Sequence, residues 1–505
     1  MSDSSAVLLR HAVARHQAGD ISQAMVAYRR LLDADPRNPD ALHMLGVALA
    51  QRGALAEAVP LMRAAVELCP ASGMAHLNLG NALSALERYD EALPCYERVT
   101  ALEPRNGQAQ VRRGIALAKL RRLDEAESSF RRAAALNPQD PDAHYNLGNL
   151  YGLERRHDLA VASFARALEI FPGYSDARFN LALLKLLRGE LREGWELYEE
   201  RFAIDSRRGA ARRLAVPRWT GKEPIEGRRI LLWAERGYGD TLQFCRYAPL
   251  VRDRGAEVIL EVQPRLEALL QSQFTGIRVV GANEHAETFD CECPLLSVPR
   301  ASGTELATIP AKVPYLTADR AAVERWAQRL PADGALRVGI AWQGNLEAER
   351  NWARGRSIPV DALEPLARQP GVRLISLQTG PGGGELGSVG FANRILSFGE
   401  ALDGGSNAFM DTAAIIMSLD LVISSDSAVA HLAGALGIPV WVALHATSEW
   451  RWLLDRSDSP WYPTMRLFRQ PAPGEWAPVV SGLCRALGEL SNTRLPAQRS
   501  GADAR

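Results

Sequence analysis

No uninterrupted apolar run in this sequence is long enough to cross a bilayer. The longest lies around Leu432–Leu444, well short of the roughly 20 residues that a spanning helix needs. The opening residues, MSDSSAVLLRHAVARHQAGD, carry His11, Arg15 and His16 inside their apolar pattern and contain no long hydrophobic segment of the signal-peptide kind. A cytoplasmic protein is expected on both counts. Neither charge is in excess: 59 basic residues stand against 59 acidic ones, so no whole-chain field recruits nucleic acid or an anionic membrane. Cysteine is sparse, with six residues at positions 69, 95, 245, 291, 293 and 484, which rules out a disulfide framework. Cys291 and Cys293 have one residue between them and no His or Cys pair at zinc spacing nearby, so reduced thiols are expected rather than a metal site.

What the sequence has instead is repetition. Pro36, Pro70, Pro104, Pro138 and Pro172 are spaced by 34 residues; Gly46, Gly80, Gly114 and Gly148 keep the same period, and so do Ala24, Ala58, Ala92, Ala126 and Ala160. Three residue types in phase, proline and alanine over five units and glycine over four, predict pairs of packed helices. The Gly of each first helix lets the second approach, and the Ala removes bulk from the same contact. A large residue four positions after each Ala (Tyr28, Met62, Tyr96, Phe130, Phe164) is expected to fill the gap between neighbouring units. Pro closes each second helix because it lacks an N–H and disfavours helix in the residue before it.

This pattern resembles the tetratricopeptide repeat, with five good copies over residues 5–174 and an array expected to run over 5–205. A sixth copy from Ser175 to about Phe202 keeps Ala182 but has Gly194 where Ala belongs and no closing Pro. It reads as a cap. Asn78, Asn146 and Asn180 share one repeat position, and Asn81 and Asn149 share another. On the concave face of such a solenoid, amides can pair with an extended peptide backbone without reading its side chains. The repeat array of the eukaryotic O-linked N-acetylglucosamine transferase is similar in this respect. The alternative is that these amides bond the carbonyls of neighbouring repeats, and Met44 and Arg112 interrupt the ladder.

The period stops after RRGAARR at 207–213, and PRWTGKEPIEG at 217–227 reads as a linker. Beyond it, strand-like runs alternate with helical patterns, which predicts α/β structure with parallel sheets. RRILLW leads into a glycine turn and a helix expected from Thr241, and EVILEV and IRVVG follow. A second block holds RVGIAW, VRLISLQ, LDLVISS and PVWVAL. Two blocks, 216–330 and 334–490, suggest two Rossmann-like lobes. LPAQRSGADAR closes the sequence, and 491–505 is expected to be a disordered tail.

The segments GYGDTLQF, AWQGN, RGRS, DTAAI, SSDSAVAHLAGALGIPVW and WRW…SPWYP resemble the glycosyltransferase-like domain that bacteria fuse to tetratricopeptide repeats. That domain is a relative of the heptosyltransferase family and has the GT-B fold. The resemblance covers about 216–485. It implies an inverting glycosyltransferase that moves a sugar from a nucleotide-sugar to an acceptor, with the donor on the C-terminal lobe. Bacterial relatives include flagellin-modifying transferases, which points to a hydroxyl of a protein acceptor held by the repeats. Two alternatives stay open: a lipopolysaccharide-core or lipid-linked sugar acceptor, and a non-catalytic adaptor. The donor's base and its hexosyl, heptosyl or nonulosonyl character also stay open.

Candidate site residues follow from strand ends. LDLVIS delivers Asp426 and Ser427 to the carboxyl edge of a sheet, where a helix opening at Ala428 suits a diphosphate. Ser427 is placed to cap that helix, and His431 shares its face. Gln343, Gly344 and Asn345 end RVGIAW and Gln378 ends the next strand, where amides could read base or sugar hydroxyls. The only Asp-x-Asp pairs, Asp33 with Asp35 and Asp140 with Asp142, lie at repeat junctions. No metal and no cofactor are therefore expected, with cations from Arg350, Arg354 or, first, Arg356 compensating the leaving phosphate. The resemblance assigns the acceptor base to Asp240 in the GYGD turn; its alternative is a helix-capping aspartate. Trp450, Trp452, Trp461 and Tyr462 are read as core before they are read as a stacking wall.

Overall fold

A computed structural model describes residues 3–207, 209, 212, 214–271, 273–282, 288–344, 349, 355–404 and 408–499. The chain divides into two compact units, Met1–Leu181 and Ala182–Arg505.

The first unit is a helical repeat solenoid. Its helices pack in pairs: α1 (Asp3–Gln17) with α2 (Ile21–Ala34), α3 (Pro39–Gln51) with α4 (Leu55–Leu68), α5 (Gly73–Ala85) with α6 (Tyr89–Leu102), α7 (Gly107–Lys119) with α8 (Leu123–Leu136), and α9 (Pro141–Leu153) with α10 (His157–Ile170). Each first helix from α3 onward opens on a capping side chain two residues after the repeat proline. Asn38, Ser72 and Asn106 accept the N–H groups of Ala41, Ala75 and Ala109 at 3.0, 3.2 and 2.9 Å, and Asp140 accepts that of Asp142 at 3.0 Å. Such caps stabilise a helix by about 1 kcal/mol each.

The glycine positions explain why the period holds. A Cβ on Gly46, Gly80, Gly114 or Gly148 would lie 2.7, 2.7, 2.5 or 2.6 Å from Met62, Tyr96, Phe130 or Phe164. The large residue of each second helix therefore fills the notch left by the glycine of its own pair, rather than the gap between neighbouring units. The fully buried alanines one turn earlier, such as Ala58, Ala92, Ala126 and Ala160, bring the helices close enough for that.

The second unit takes in more of the chain than the repeat phase suggests. Of α11 (Ser175–Leu187), α12 (Leu191–Tyr198) and α13 (Arg201–Arg207), all residues from Ala182 onward belong to it. Trp195 stands edge-on to Trp450 at 5.2 Å. The fully buried Arg201 donates to Glu235 at 2.7 Å, Glu199 at 2.8 Å and Ser297 at 2.6 Å. A cap built from aromatics and a buried arginine serves the α/β core, and the compact division falls at Leu181, inside the stretch 5–205 read as the array.

Two parallel sheets follow. The first comprises β1 (Arg229–Trp233), β2 (Glu257–Val262), β3 (Ile277–Gly281) and β4 (Cys291–Pro294) in the order β3-β2-β1-β4. The second comprises β5 (Leu336–Ala341), β6 (Val372–Ser376), β7 (Ile395–Leu396), β8 (Leu421–Ser425), β9 (Val440–Leu444) and β10 (Met465–Arg469) in the order β10-β9-β8-β5-β6-β7. In both, the first strand lies between the second and the fourth, the doubly wound order. β8 and β9 are buried throughout, as strands covered on both faces must be. Ile340, Trp342, Ile423, Leu483 and Leu487 share one core beneath the second sheet. The last helix, Trp476–Arg499, runs on through much of the stretch expected to be a tail; residues 500–505 lie outside the described ones.

Candidate functional site

In a doubly wound sheet the two central strands feed connections that depart to opposite sides, and the gap at their carboxyl ends is where ligands bind. In the second sheet those strands are β5 and β8. β5 leads to Gln343 and Gly344; β8 leads to Asp426, Ser427 and the helix Ala428–Ala435. Arg356 joins the two ends: its Nε donates to the Asp426 carbonyl, one terminal nitrogen lies 3.4 Å from the Asp426 carboxylate, and a Cβ on Gly344 would stand 3.6 Å from it. Asp426 is wholly buried. Burial alone would raise its carboxyl, but the charges of Arg356 and Arg451 outweigh this and hold it below the usual carboxylate range. Ser427 occupies the cap position without capping; its hydroxyl meets that of Ser424 at 2.9 Å instead.

In the first sheet the corresponding end is that of β1. The helix after it, α14 (Tyr238–Phe244), starts at Tyr238 rather than at Thr241. Asp240 is its third residue and not its cap; it reaches back to accept the N–H of the cap residue Gly237 at 2.9 Å. Its other oxygen accepts from Arg451 at 2.5 Å. The turn leans on the second lobe, where a Cβ at Gly239 would lie 2.9 Å from the His431 ring. His431 Nδ1 meets the Tyr462 hydroxyl at 3.0 Å, and its ring stacks on Trp452. Its pKa is pushed down to about 3 by burial, with Arg451 adding to the effect. It is neutral at neutral pH.

Arg451, Glu449 and His445 are the site residues that the sequence reading missed. Arg451 is 7 % exposed and donates to Asp240, to Glu449 and, at 2.9 Å, to Gln243. The second oxygen of Glu449 lies 3.7 Å from Arg356. His445 sits buried at the end of β9, lowered in pKa by burial against the opposing pull of Asp426. HATSEWRW is a charged stretch leaving a buried strand, but nothing local in it shows that Arg451 and Glu449 meet Asp240 and Arg356. Those aromatics are core: Trp450, Trp452, Trp461 and Tyr462 are all buried, and Phe244 and Trp461 meet edge-on at 5.5 Å.

Other expected contacts are already engaged. Gln378 accepts the N–H groups of Trp342 and Gln343 at 3.0 and 2.9 Å and donates to the Gln343 carbonyl, tying β5 to β6. Gln343 donates to Glu385 at 3.2 Å. Within DTAAI, Asp411 accepts the Trp326 indole N–H at 2.7 Å and the Thr412 hydroxyl donates to Asp403. Ala428 is half-buried at the helix opening. Asn345, Arg350 and Arg354 lie outside the described residues. Among the described residues no group of His, Cys, Asp or Glu is arranged to hold a metal ion, and no helix is long and apolar enough to cross a membrane.

In the repeats the amides bond one another and their neighbours. Asn78 meets His43 at 2.9 Å, Asn81 accepts from Tyr96 at 3.0 Å, Asn146 donates to the Asp142 carbonyl at 2.8 Å, and Asn180 donates to Asn149 at 2.8 Å. These bonds run to side chains or, for Asn146, to a carbonyl of its own helix, so none of them is the bond to a neighbouring repeat's carbonyl that the alternative calls for, and each amide stays only partly buried.

Protein FlbA of Caulobacter vibrioides is 30% identical over 336 residues, which cover 61% of this chain and 54% of FlbA. The chain spans about half the length of that curated relative. A match of this extent is longer than the repeat array, so it takes in part of the α/β unit. Among solved structures, MamA from Desulfovibrio magneticus RS-1 covers 34% of this chain and 98% of its own at 24% identity and a TM-score of 0.33; MamA of AMB-1 covers 33% and 98% at 28% identity and a TM-score of 0.31. The tetratricopeptide repeat family matches residues 9–73, 77–141 and 113–175, so the N-terminal unit of this chain is a tetratricopeptide-repeat solenoid joined to a parallel-sheet α/β unit.

Proposed function

We propose that the α/β unit is a glycosyltransferase of the GT-B kind that takes a nucleotide-sugar donor, and that the repeats present its protein acceptor. One observation supports this most. The carboxyl ends of the two central strand pairs come together through Gly239 and His431, and two arginines, Arg356 and Arg451, stand there. A nucleoside diphosphate leaving group needs positive charge at that place, and the helix Ala428–Ala435 adds its N–H groups. In the transfer an acceptor hydroxyl attacks the anomeric carbon from the face opposite the phosphate. The new C–O bond forms as the bond to the diphosphate breaks, and the diphosphate departs with the electron pair. The hydroxyl proton goes to Asp240. The cations take the place of a metal ion, so EDTA is expected to leave turnover unchanged.

For the acceptor we favour a Ser or Thr hydroxyl of flagellin or another surface protein, on the resemblance set out above; a glycolipid acceptor would leave the repeats without a task. The adaptor reading is favoured by a different observation: Asp240 is tied to Arg451, as it would be if the network only glued two lobes together. Asp240→Asn separates the two readings. Transfer from a donor panel should fall at least about a hundredfold while donor binding is retained, and an unaltered rate would remove Asp240 from the chemistry. A thermal-shift screen against uridine, cytidine, guanosine and adenosine diphosphate sugars identifies the donor, because a bound ligand raises the melting temperature.

A further inference from the structure

Two arginines sharing one carboxylate at a strand-end site raise the question of what the carboxylate is for. Arg451 reaches Glu449 through one terminal nitrogen and Asp240 through the other. Arg356 reaches Glu449 at 3.7 Å and Asp426 at 3.4 Å. The three acids are not equivalent. The Asp426 side chain is 1 % exposed and that of Asp240 is 20 % exposed, whereas that of Glu449 is 32 % exposed. Asp426 is fixed by burial and Asp240 by the Gly237 N–H, but among the described residues the Glu449 carboxylate is held by the two arginines alone. Its two oxygens, one on each guanidinium, occupy the place that two oxygens of a diphosphate would take between the same groups.

We infer that Glu449 is an internal stand-in for the donor's diphosphate: it holds Arg356 and Arg451 in their binding positions while the site is empty, and the incoming anion displaces it. This rests on the nucleotide-sugar reading above and adds a residue to it. The exposed acid is the one that leaves, because swinging it into water costs little, whereas moving Asp426 would leave a guanidinium and a buried carboxylate unpaired. The exchange also fits Asp240. Once a diphosphate engages Arg451, that guanidinium divides its charge between two partners, and its hold on the acceptor-side carboxylate slackens.

The test is calorimetric titration of the full chain with pyrophosphate, with UDP, GDP, CDP and ADP, and with uncharged uridine. It compares wild type, Glu449→Gln and Glu449→Asp, the last keeping the charge on a shorter arm in case the neutral variant folds poorly. Removing the competing acid should tighten the diphosphate ligands about three- to tenfold and leave uridine unchanged. The gain should shrink when Arg451→Gln is added, since the acid then has one guanidinium less to occupy. Wild type binding a nucleoside diphosphate with no gain in either Glu449 variant overturns the stand-in and spares the transferase reading. A gain undiminished without Arg451, or one of equal size for uridine, overturns it as well. Failure of every variant to bind any of these ligands ends both readings.

Discussion

His431 shows how much a single buried side chain can say. Its pKa is pushed down to about 3 from an ordinary 6.5, so in the folded chain it stays neutral where the unfolded chain takes up a proton. Stability is therefore complete above 6.5 and falls as the pH is lowered through the window from 6.5 towards 3, by on the order of 2 kcal/mol at pH 5. Urea unfolding at pH 7 and pH 5 should show a smaller loss in His431→Gln than in wild type; identical losses would refute the assignment. At this scale the sequence was partly legible. Asp426, Ser427, His431 and Gly344 could be named because a strand end or the helix start after it marks them, and Arg356 because its RS pair resembles the transferase family. Arg451 and Glu449 could not, because the Asp240 that Arg451 pairs with lies some two hundred residues away and the Arg356 beside Glu449 lies more than ninety away. No local pattern encodes such a pairing.

Among the elements, the helix pair is the unit whose logic was written most openly. Proline, glycine and alanine recur in phase because each answers a local constraint, and the capping Asn38, Ser72, Asn106 and Asp140 keep the same beat. The destination of the large residue did not show in the spacing, since the same period suits a plug within a pair and a plug between pairs. Its observed place makes a sharp prediction. In Gly114→Ala the new methyl would meet Phe130 at 2.5 Å and should cost about 1–3 kcal/mol, read as a lowered helical melting temperature of the solenoid. Phe130→Leu in the same chain should recover part of the loss, and a harmless Gly114→Ala would mean the notch is not tight. The strands were equally plain, as apolar runs of the right length, but sheet order is a property of non-local pairing.

For the whole molecule, the question of where one unit ends has practical weight. The repeat phase runs past residue 200, yet the compact division falls between Leu181 and Ala182, because Trp195 and Arg201 are core residues of the α/β unit. Removing residues 1–181 should leave that unit folded, with its donor binding intact and its transfer to protein lost. Removing 1–205 should strip out Trp195 and leave Glu235 and Glu199 facing an absent Arg201, a loss of several kcal/mol. Parallel expression and thermal melting of the two truncations decide the point; equal stability would restore the later boundary.

Gly239 carries a last implication. A neighbour already sits where its Cβ would go, so the distance of closest approach between the two lobes is set by a carbon that is not there. Valine at 239 would act as a doorstop, holding the lobes ajar and letting solvent reach a face that is otherwise dry. Amide exchange along Ala428–Ala435 should then quicken while the rest of the second sheet keeps its protection.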